Sequence, residues 1–232
     1  MNPIKSLNKK DLLIWVGSIG IILVSSILST EFSLLTFIAS CVGATSLILA
    51  AKGNVWSQIL MIMFSILYGI ISWQFCYWGE MITYLGMTMP MAIWSTITWM
   101  KNPSESGREV AIQKLSKAHI LVVLAGTIVV TAIFYVILDR LNTPNMFFST
   151  LSITTSFLAA SFTMLRSTYY ALGYAANDVI LVILWTLAAI ENPAYISVVV
   201  IFIIFFFNDM YGFINWKKRE KQMVENKQIE AA

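Results

Sequence analysis

Apolar blocks of about twenty residues follow one another along almost the whole chain, and each is long enough to cross the hydrocarbon core of a bilayer as an α-helix. They leave no room for a separate soluble domain. The composition agrees, because 58% of the 232 residues are hydrophobic and only 12% are charged, whereas about a quarter of a soluble domain is charged. We therefore predict an all-α integral membrane protein.

The limits of the apolar blocks predict eight membrane-spanning helices. The first block follows Lys9 and Lys10, as the apolar part of a signal peptide does, but it lacks a convincing A-x-A cleavage site, so we keep it as a helix. Pro90 is expected to bend the fourth span. The predicted spans are residues 12–29, 33–51, 54–73, 80–100, 118–138, 144–165, 168–190 and 194–216.

The basic residues indicate the orientation of the chain. If both termini are cytoplasmic, all but one of the fifteen Lys and Arg residues fall on the cytoplasmic side, and the exception is Arg140. The outer loops then hold Glu31, Glu80, Asp139 and Glu191. Because cytoplasmic loops are enriched in Lys and Arg, this pattern supports an even number of spans and a multi-pass protein of the bacterial cytoplasmic membrane.

Two parts of the chain resemble each other. Lys52 and Arg166 precede corresponding helices, and residues 92–99 correspond to residues 209–216, each stretch ending in Trp. The two units begin four spans apart, so they cross the membrane in the same direction, and the fifth span inverts the chain between them. The predicted fold is two parallel three-helix repeats joined by one inverting helix, plus an extra N-terminal helix, which is a known transporter architecture.

These predictions divide the chain into five segments. Residues 1–30 form the N-terminus and extra helix, 31–101 the first repeat, 102–143 the cytoplasmic loop and inverting helix, 144–219 the second repeat, and 220–232 the cytoplasmic tail. A substrate site is expected near the midplane where the repeats meet. Duplicated helices can also serve as scaffold alone, so a non-transporting membrane subunit stays an alternative.

Two acidic residues fall deep inside the predicted spans. Asp178 follows Asn177 in span seven, and Asp209 follows Asn208 in span eight. A charged side chain at the bilayer centre costs about 2.5–3.5 kcal/mol on insertion scales, so such residues face the bundle interior and mark candidate functional sites. These four residues are therefore expected to be shielded from lipid. The carboxyls either bind a solute or form structural hydrogen bonds with neighbouring helices.

Aromatic and amide side chains accompany these acids. Trp185 lies seven residues after Asp178, Tyr211 follows Asp209, and Trp94 lies deep in span four. Aromatic faces beside a carboxylate suit a flat or cationic ligand, and amides can bond to hydroxyl groups. A small polar solute such as a nucleoside fits this combination.

Motifs of enzymes are missing from the sequence. It contains no H-E-x-x-H, no G-x-S-x-G and no G-x-x-x-x-G-K-[ST], so hydrolytic and ATP-driven functions are not expected. The single histidine, His119, cannot supply a His-based metal site. We expect a transporter that is not an enzyme and has no cofactor, no metal and no nucleic-acid partner.

Two segments resemble the PnuC family of nicotinamide riboside transporters. They read NVWSQILMIMFSILYGIISWQFCYWGEMITY and ALGYAANDVILVILWTLAAIENPAYISVVVIFIIFFFNDMYGFINWKKR. The resemblance covers about residues 30–219 and implies the repeat fold above, similar to that of the sugar-carrying SWEET proteins. It further implies a homotrimer in membrane lipid and facilitated diffusion with alternating access. Cytoplasmic phosphorylation then traps the riboside.

The resemblance also implies a set of substrate-binding residues, carried over by position. They are Asn177, Asp178, Trp185, Asn208, Asp209 and Tyr211, with Gln58, Tyr68 and Trp94 as weaker candidates. Met63 and Phe64 stand in the first repeat where the second has Asn177 and Asp178, so we do not expect a symmetric site. Thiamine, riboflavin or a deoxynucleoside remains an alternative substrate, and a proton-coupled symporter an alternative mechanism.

Overall fold

The computed structural model describes residues 7–29, 32–75, 77–105, 107 and 109–230. Its regular structure is almost entirely helical. A π-helical turn, Tyr84–Thr88, joins α4 to α5, and a 3-10 turn, Pro193–Tyr195, precedes α9. The helices are α1 (Lys9–Leu28), α2 (Leu34–Ala51), α3 (Trp56–Gln74), α4 (Trp78–Thr83), α5 (Met89–Lys101), α6 (Lys117–Arg140), α7 (Met146–Met164), α8 (Tyr170–Glu191) and α9 (Ile196–Glu230).

Seven helices in the described part of the chain are long and apolar enough to cross a membrane. The predicted span 80–100 is formed instead by α4, the π-helical turn and α5, which follow one another without a break. The N–H of Met89 bonds the carbonyl of Tyr84, and Pro90 next to it has no N–H to donate. The chain thus departs from α-helical geometry immediately before Pro90, while the bend expected there stays a prediction. An all-helical protein with about seven or eight membrane helices is confirmed.

Helix α1 is attached to the bundle by polar contacts. The carboxylate of Asp11 lies 3.2 Å from Lys52 Nζ and accepts a 2.5 Å hydrogen bond from the hydroxyl of Tyr211. One turn deeper into the bundle, the amide of Asn208 donates to the hydroxyl of Ser18 over 3.1 Å. Since the acid and amide are buried, these contacts give α1 a defined position against α2 and α9.

The other helices form one bundle in which the first and second halves of the chain interleave. Helix α2 packs against α3 and α9, and α7 packs against α8 and α5. We call the end of the bundle that carries Lys52, Lys101, Lys117, Arg166 and Lys217 the basic end. The connections α3–α4, α6–α7 and α8–α9 lie at the opposite end.

The turns that follow α2 and α7 at the basic end have the same backbone hydrogen bonds. Gly53 N–H donates to Ala50 O over 2.8 Å, and Arg166 N–H donates to Thr163 O over 2.9 Å. Gly53 and Arg166 also share a left-handed backbone, with φ of 67° and 52°. Gly53 rather than Lys52 thus occupies the position of Arg166, which shifts the sequence alignment of these helices by one residue.

Two buried tryptophans make matching contacts near the basic end. Trp99 Nε1 in α5 donates to Thr163 O at the end of α7 over 2.9 Å. Trp216 Nε1 in α9 donates to Ala50 O at the end of α2 over 2.8 Å. The two indole rings lie 5.6 Å apart. They close the centre of this end and join the last helix of each half to the first helix of the other.

The connection 102–116 lies across the basic end. Val110 N–H bonds Gly53 O over 2.9 Å, and Gln113 N–H bonds Arg166 O over 3.1 Å, so this connection reaches both equivalent turns. From α9, Arg219 Nη2 donates to Val110 O over 2.8 Å. These bonds join the connection to the ends of α2 and α7 and to α9.

Candidate solute-binding site

A small enclosed cavity lies between the two halves of the bundle, about midway along α8 and α9. Its volume is about 20 Å³, enough for a water molecule but far below the roughly 300–1,000 Å³ of small-molecule pockets. In this conformation the cavity is therefore too small to hold a solute molecule. The cavity is lined by Gly43, Leu47, Met61, Phe64, Tyr84, Thr88, Ser156, Tyr174, Asn177, Asp178, Phe205 and Asp209.

Two acidic side chains meet in this cavity. Asp178 of α8 and Asp209 of α9 are 4% and 3% exposed, and both line the cavity. Asp178 Oδ2 has no donor among the described residues. No Lys, Arg or His lines the cavity in the part of the chain that the structure describes. A bound cation would therefore offset negative charge that no protein group offsets.

The amide of Asn177 is held by helix α7. Its Oδ1 accepts hydrogen bonds from Thr155 Oγ1 over 2.9 Å and from Ser156 Oγ over 3.0 Å. Because two donors bond one oxygen, the amide group has a fixed orientation at the cavity wall. Sequence reasoning missed both hydroxyls, since Ser and Thr are frequent packing residues between membrane helices.

An aromatic cluster closes the cavity on the side away from the basic end. Trp185 Nε1 donates to the hydroxyl of Tyr68 over 2.8 Å. The Tyr68 ring stacks on Phe64, with centroids 5.5 Å apart, and meets the edge of Tyr84 at 4.4 Å. Phe64 and Tyr84 line the cavity, whereas Tyr68 and Trp185 form the next layer. The two predicted aromatic residues thus lie behind the cavity wall.

The structure does not bring four other predicted residues to the cavity. Gln58 is buried beside Ser57, to whose hydroxyl its amide donates. Asn208 and Tyr211 face α1. Trp94 is 61% exposed and lies on the outer surface of the bundle. Asn208 and Tyr211 follow the face of α9 that points toward α1, which the helical spacing alone did not distinguish from the face toward α8.

The prediction that Glu80 lies in an outer loop is wrong. Helix α4 begins at Trp78, and Glu80 in its first turn is 1% exposed and accepts a 3.1 Å hydrogen bond from Ser152 of α7. Burial also raises the pKa of the Tyr77 hydroxyl, just before α4, to about 12. Glu31, another acid predicted to lie in an outer loop, is outside the described residues.

Helices of membrane length that enclose an acidic cavity between two halves of a bundle are typical of membrane transporters. The family model named nicotinamide mononucleotide transporter matches residues 33–218. The chain therefore belongs to this family of membrane transporters, and the resemblance to PnuC proteins is confirmed.

Curated relatives and a solved structure agree with this assignment. The nicotinamide riboside transporter PnuC of Neisseria mucosa is 24% identical over 82% of this chain and 74% of its own length. The nicotinamide riboside transporter PnuC of Haemophilus influenzae is 22% identical over 90% of both chains. The crystal structure of the vitamin B3 transporter PnuC has the same fold, with a TM-score of 0.81 and 21% identity over 93% of this chain and 94% of that one.

Proposed function

We propose that this protein carries nicotinamide riboside across the bacterial cytoplasmic membrane. The observation that carries the proposal is the pair Asp178 and Asp209 in a cavity without a basic residue among the described lining residues. Nicotinamide riboside has a cationic pyridinium ring, which carboxylates and aromatic faces attract, and ribose hydroxyls, which the Asn177 amide can bond. The names of the relatives, PnuC riboside transporters, support the same substrate.

The chemistry of the cavity favours the riboside over the mononucleotide. A phosphate group adds about −1.5 to −2 charges at neutral pH, and proteins bind such groups with Arg, Lys or backbone N–H groups at a helix N-terminus. The described lining has two carboxyls instead. These would repel the phosphate of the mononucleotide but attract the pyridinium of the riboside.

Two parallel three-helix repeats are the architecture that we associate with this function. The first comprises α2, α3 and α4–α5, the second α7, α8 and α9, with α6 as the inverting helix and α1 as the extra one. The matching turns at Gly53 and Arg166 and the matching bonds of Trp99 and Trp216 support it. The excess of basic residues at the basic end supports a cytoplasmic location for that end and for both termini.

Alternating access would then come from rocking one repeat against the other. The Trp99–Trp216 contact would be the cytoplasmic gate, and the Tyr68–Trp185 contact the outer gate. Facilitated diffusion, with phosphorylation in the cytoplasm to trap the riboside, needs no coupling ion. The apolar faces of α1 and α6, which include Leu121 and Val122, both 70% exposed, suit lipid and the other subunits of a homotrimer.

Thiamine is the second candidate substrate, because it is also an aromatic monocation and meets the same carboxyl pair. Riboflavin and deoxynucleosides lack this charge, so the cavity supports them less. A proton-coupled symporter is the alternative mechanism, since two adjacent membrane carboxyls can act as a proton relay.

Uptake into proteoliposomes tests the function. We expect saturable uptake of labelled nicotinamide riboside without a pH gradient, weak competition by the mononucleotide and loss of uptake in Asp178→Asn. Uptake of thiamine but not of the riboside would show that thiamine, the second candidate, is the substrate. Uptake that requires a pH gradient would replace facilitated diffusion by proton coupling.

A further inference from the structure

Glu80 is a buried carboxyl that does not line the central cavity. Its Oε1 accepts the bond from Ser152, but Oε2 has no hydrogen-bond partner. None of the salt bridges among the described residues involves it. An unpaired buried carboxyl is unfavourable, and inside a membrane protein such a group marks a candidate site for an ion or a substrate.

The groups around Glu80 suit a cationic ligand. Tyr77 comes three residues before Glu80 and Tyr84 four residues after it, with the Tyr84 N–H bonded to the Glu80 carbonyl, so both tyrosines lie one turn from Glu80. The ring of Tyr68 packs against Tyr84, with centroids 4.4 Å apart. Thr143 packs against the adjacent Gly79, and its hydroxyl is also buried without a hydrogen-bond partner. Aromatic faces with one carboxylate attract organic cations, and the free hydroxyl can bond a polar group of such a ligand.

Tyr84 connects this region to the central cavity. Its side chain lines the cavity together with Asp178 and Asp209, and its backbone N–H bonds the carbonyl of Glu80 one turn earlier. Tyr84 is also the first residue of the π-helical turn, a deviation that occurs often at functional sites. Glu80 and the Asp178–Asp209 pair therefore lie on two sides of one aromatic residue.

We infer that Glu80, together with Tyr68, Tyr77 and Tyr84, forms a second binding site for an organic monocation, on the side of the cavity away from the basic end. The inference rests on the proposed function, in which the riboside enters from outside the cell. The riboside would then meet Glu80 first and reach the carboxyl pair after Tyr84 moves. The role of Glu80 is to attract the cation to the closed side of the aromatic cluster, which raises its local concentration there.

Initial rates of uptake test this role, with Glu80→Gln as the variant. Glutamine keeps the shape of the side chain and an oxygen for Ser152 to bond, but it removes the charge. We expect a roughly tenfold higher KM for external riboside with kcat within twofold of wild type. Asp139→Asn, an exposed acid-to-amide change at the same end of the bundle, is the control and should change KM less than twofold. An unchanged KM in Glu80→Gln, or an equal change in both variants, overturns the site.

Binding of 1-methylnicotinamide, a pyridinium without ribose, separates this inference from the proposed function. The background is Asp178→Asn with Asp209→Asn, which leaves Glu80 as the remaining acid of this region. Calorimetry should detect binding that weakens at least tenfold when Glu80→Gln is added. Equal affinity with and without Glu80→Gln, or no binding in the background variant, contradicts the second site. A wild-type protein that binds this probe but does not transport riboside would overturn the proposed function alone.

Discussion

The two halves of the bundle meet at one cavity but line it with different chemistry. Helices α7–α9 supply its carboxyls and its amide, Asp178, Asp209 and Asn177. Helices α2–α5 supply mainly apolar and aromatic groups, among them Phe64 and Tyr84. The carboxyls thus come from one half only, while both halves supply aromatic rings, and this combination suits a flat cation, which has a charge to offset and two faces to stack. Under the proposed function, the acidic wall of the second half is what would distinguish a cation from other flat ligands.

Two of the lining residues nevertheless hold matching positions relative to the two similar turns at the basic end. Phe64 follows Gly53 by the same number of residues as Asn177 follows Arg166, and both line the cavity. At the basic end the halves also make matching contacts. The comparison teaches that the two halves make matching contacts at the basic end, while different side chains at the cavity give only one wall its carboxyls.

The largest loss of riboside affinity is expected when both cavity carboxyls of the second half are removed. Asp178→Asn with Asp209→Asn should weaken riboside binding at least 100-fold, about 2.7 kcal/mol, because the pyridinium loses the groups that offset its charge. Calorimetry on the purified protein measures this. Asp11→Asn, a buried acid outside the cavity that pairs with Lys52, is the matched control and should bind within threefold of wild type. Wild-type affinity in the double variant would show that the ligand binds elsewhere.

A smaller effect is expected from crowding the apolar wall of the first half. A Cβ atom at Gly43 would collide with the rings of Phe205 and Phe64, both of which line the cavity, so Gly43→Ala should reduce riboside affinity about tenfold. Gly86→Ala is the control, because its Cβ would meet only Ile82, at 3.7 Å. If both variants bind the riboside equally well, this wall does not contact the ligand.

The smallest expected effect is on the free energy of unfolding, from the two matching tryptophan contacts at the basic end. Trp99→Phe and Trp216→Phe each remove one indole N–H donor to a helix-end carbonyl, so each should lower the free energy of unfolding by about 1 kcal/mol. Thermal unfolding of the purified protein, followed by near-UV circular dichroism, compares them. Equal losses are the expected outcome of equivalent positions. A large difference between the two variants would contradict the proposed repeat.

The sequence predicted the burial of the central polar residues, because ionisable groups cannot face lipid without a large cost. Asn177, Asp178, Asn208 and Asp209 are all at most 4% exposed. Their partners were not predictable. Asn208 faces α1 rather than the cavity, because helical spacing shows which residues share a face but not which neighbour that face meets.

Trp94 and Glu80 are two further residues whose surroundings the sequence did not predict correctly. Trp94 lies on the surface of the bundle and Glu80 inside it, while the sequence suggested the reverse for each. Hydropathy measures the character of a segment and not the direction of one side chain. Helix α4 begins two residues before the predicted span, and at a helix end such a difference decides whether an acid lies in a loop or between helices.

By itself, the sequence determined the membrane location, the number of helices and the acidic character of the interior, because the bilayer limits the length and polarity of every segment. Only the tertiary structure decided that Asp178 and Asp209 meet, that Tyr68 and Trp185 lie behind the cavity wall, and that Glu80 is buried without a charge partner. These facts depend on how the helices are rotated and packed against one another. Packing joins residues far apart in the chain, and no local pattern records it.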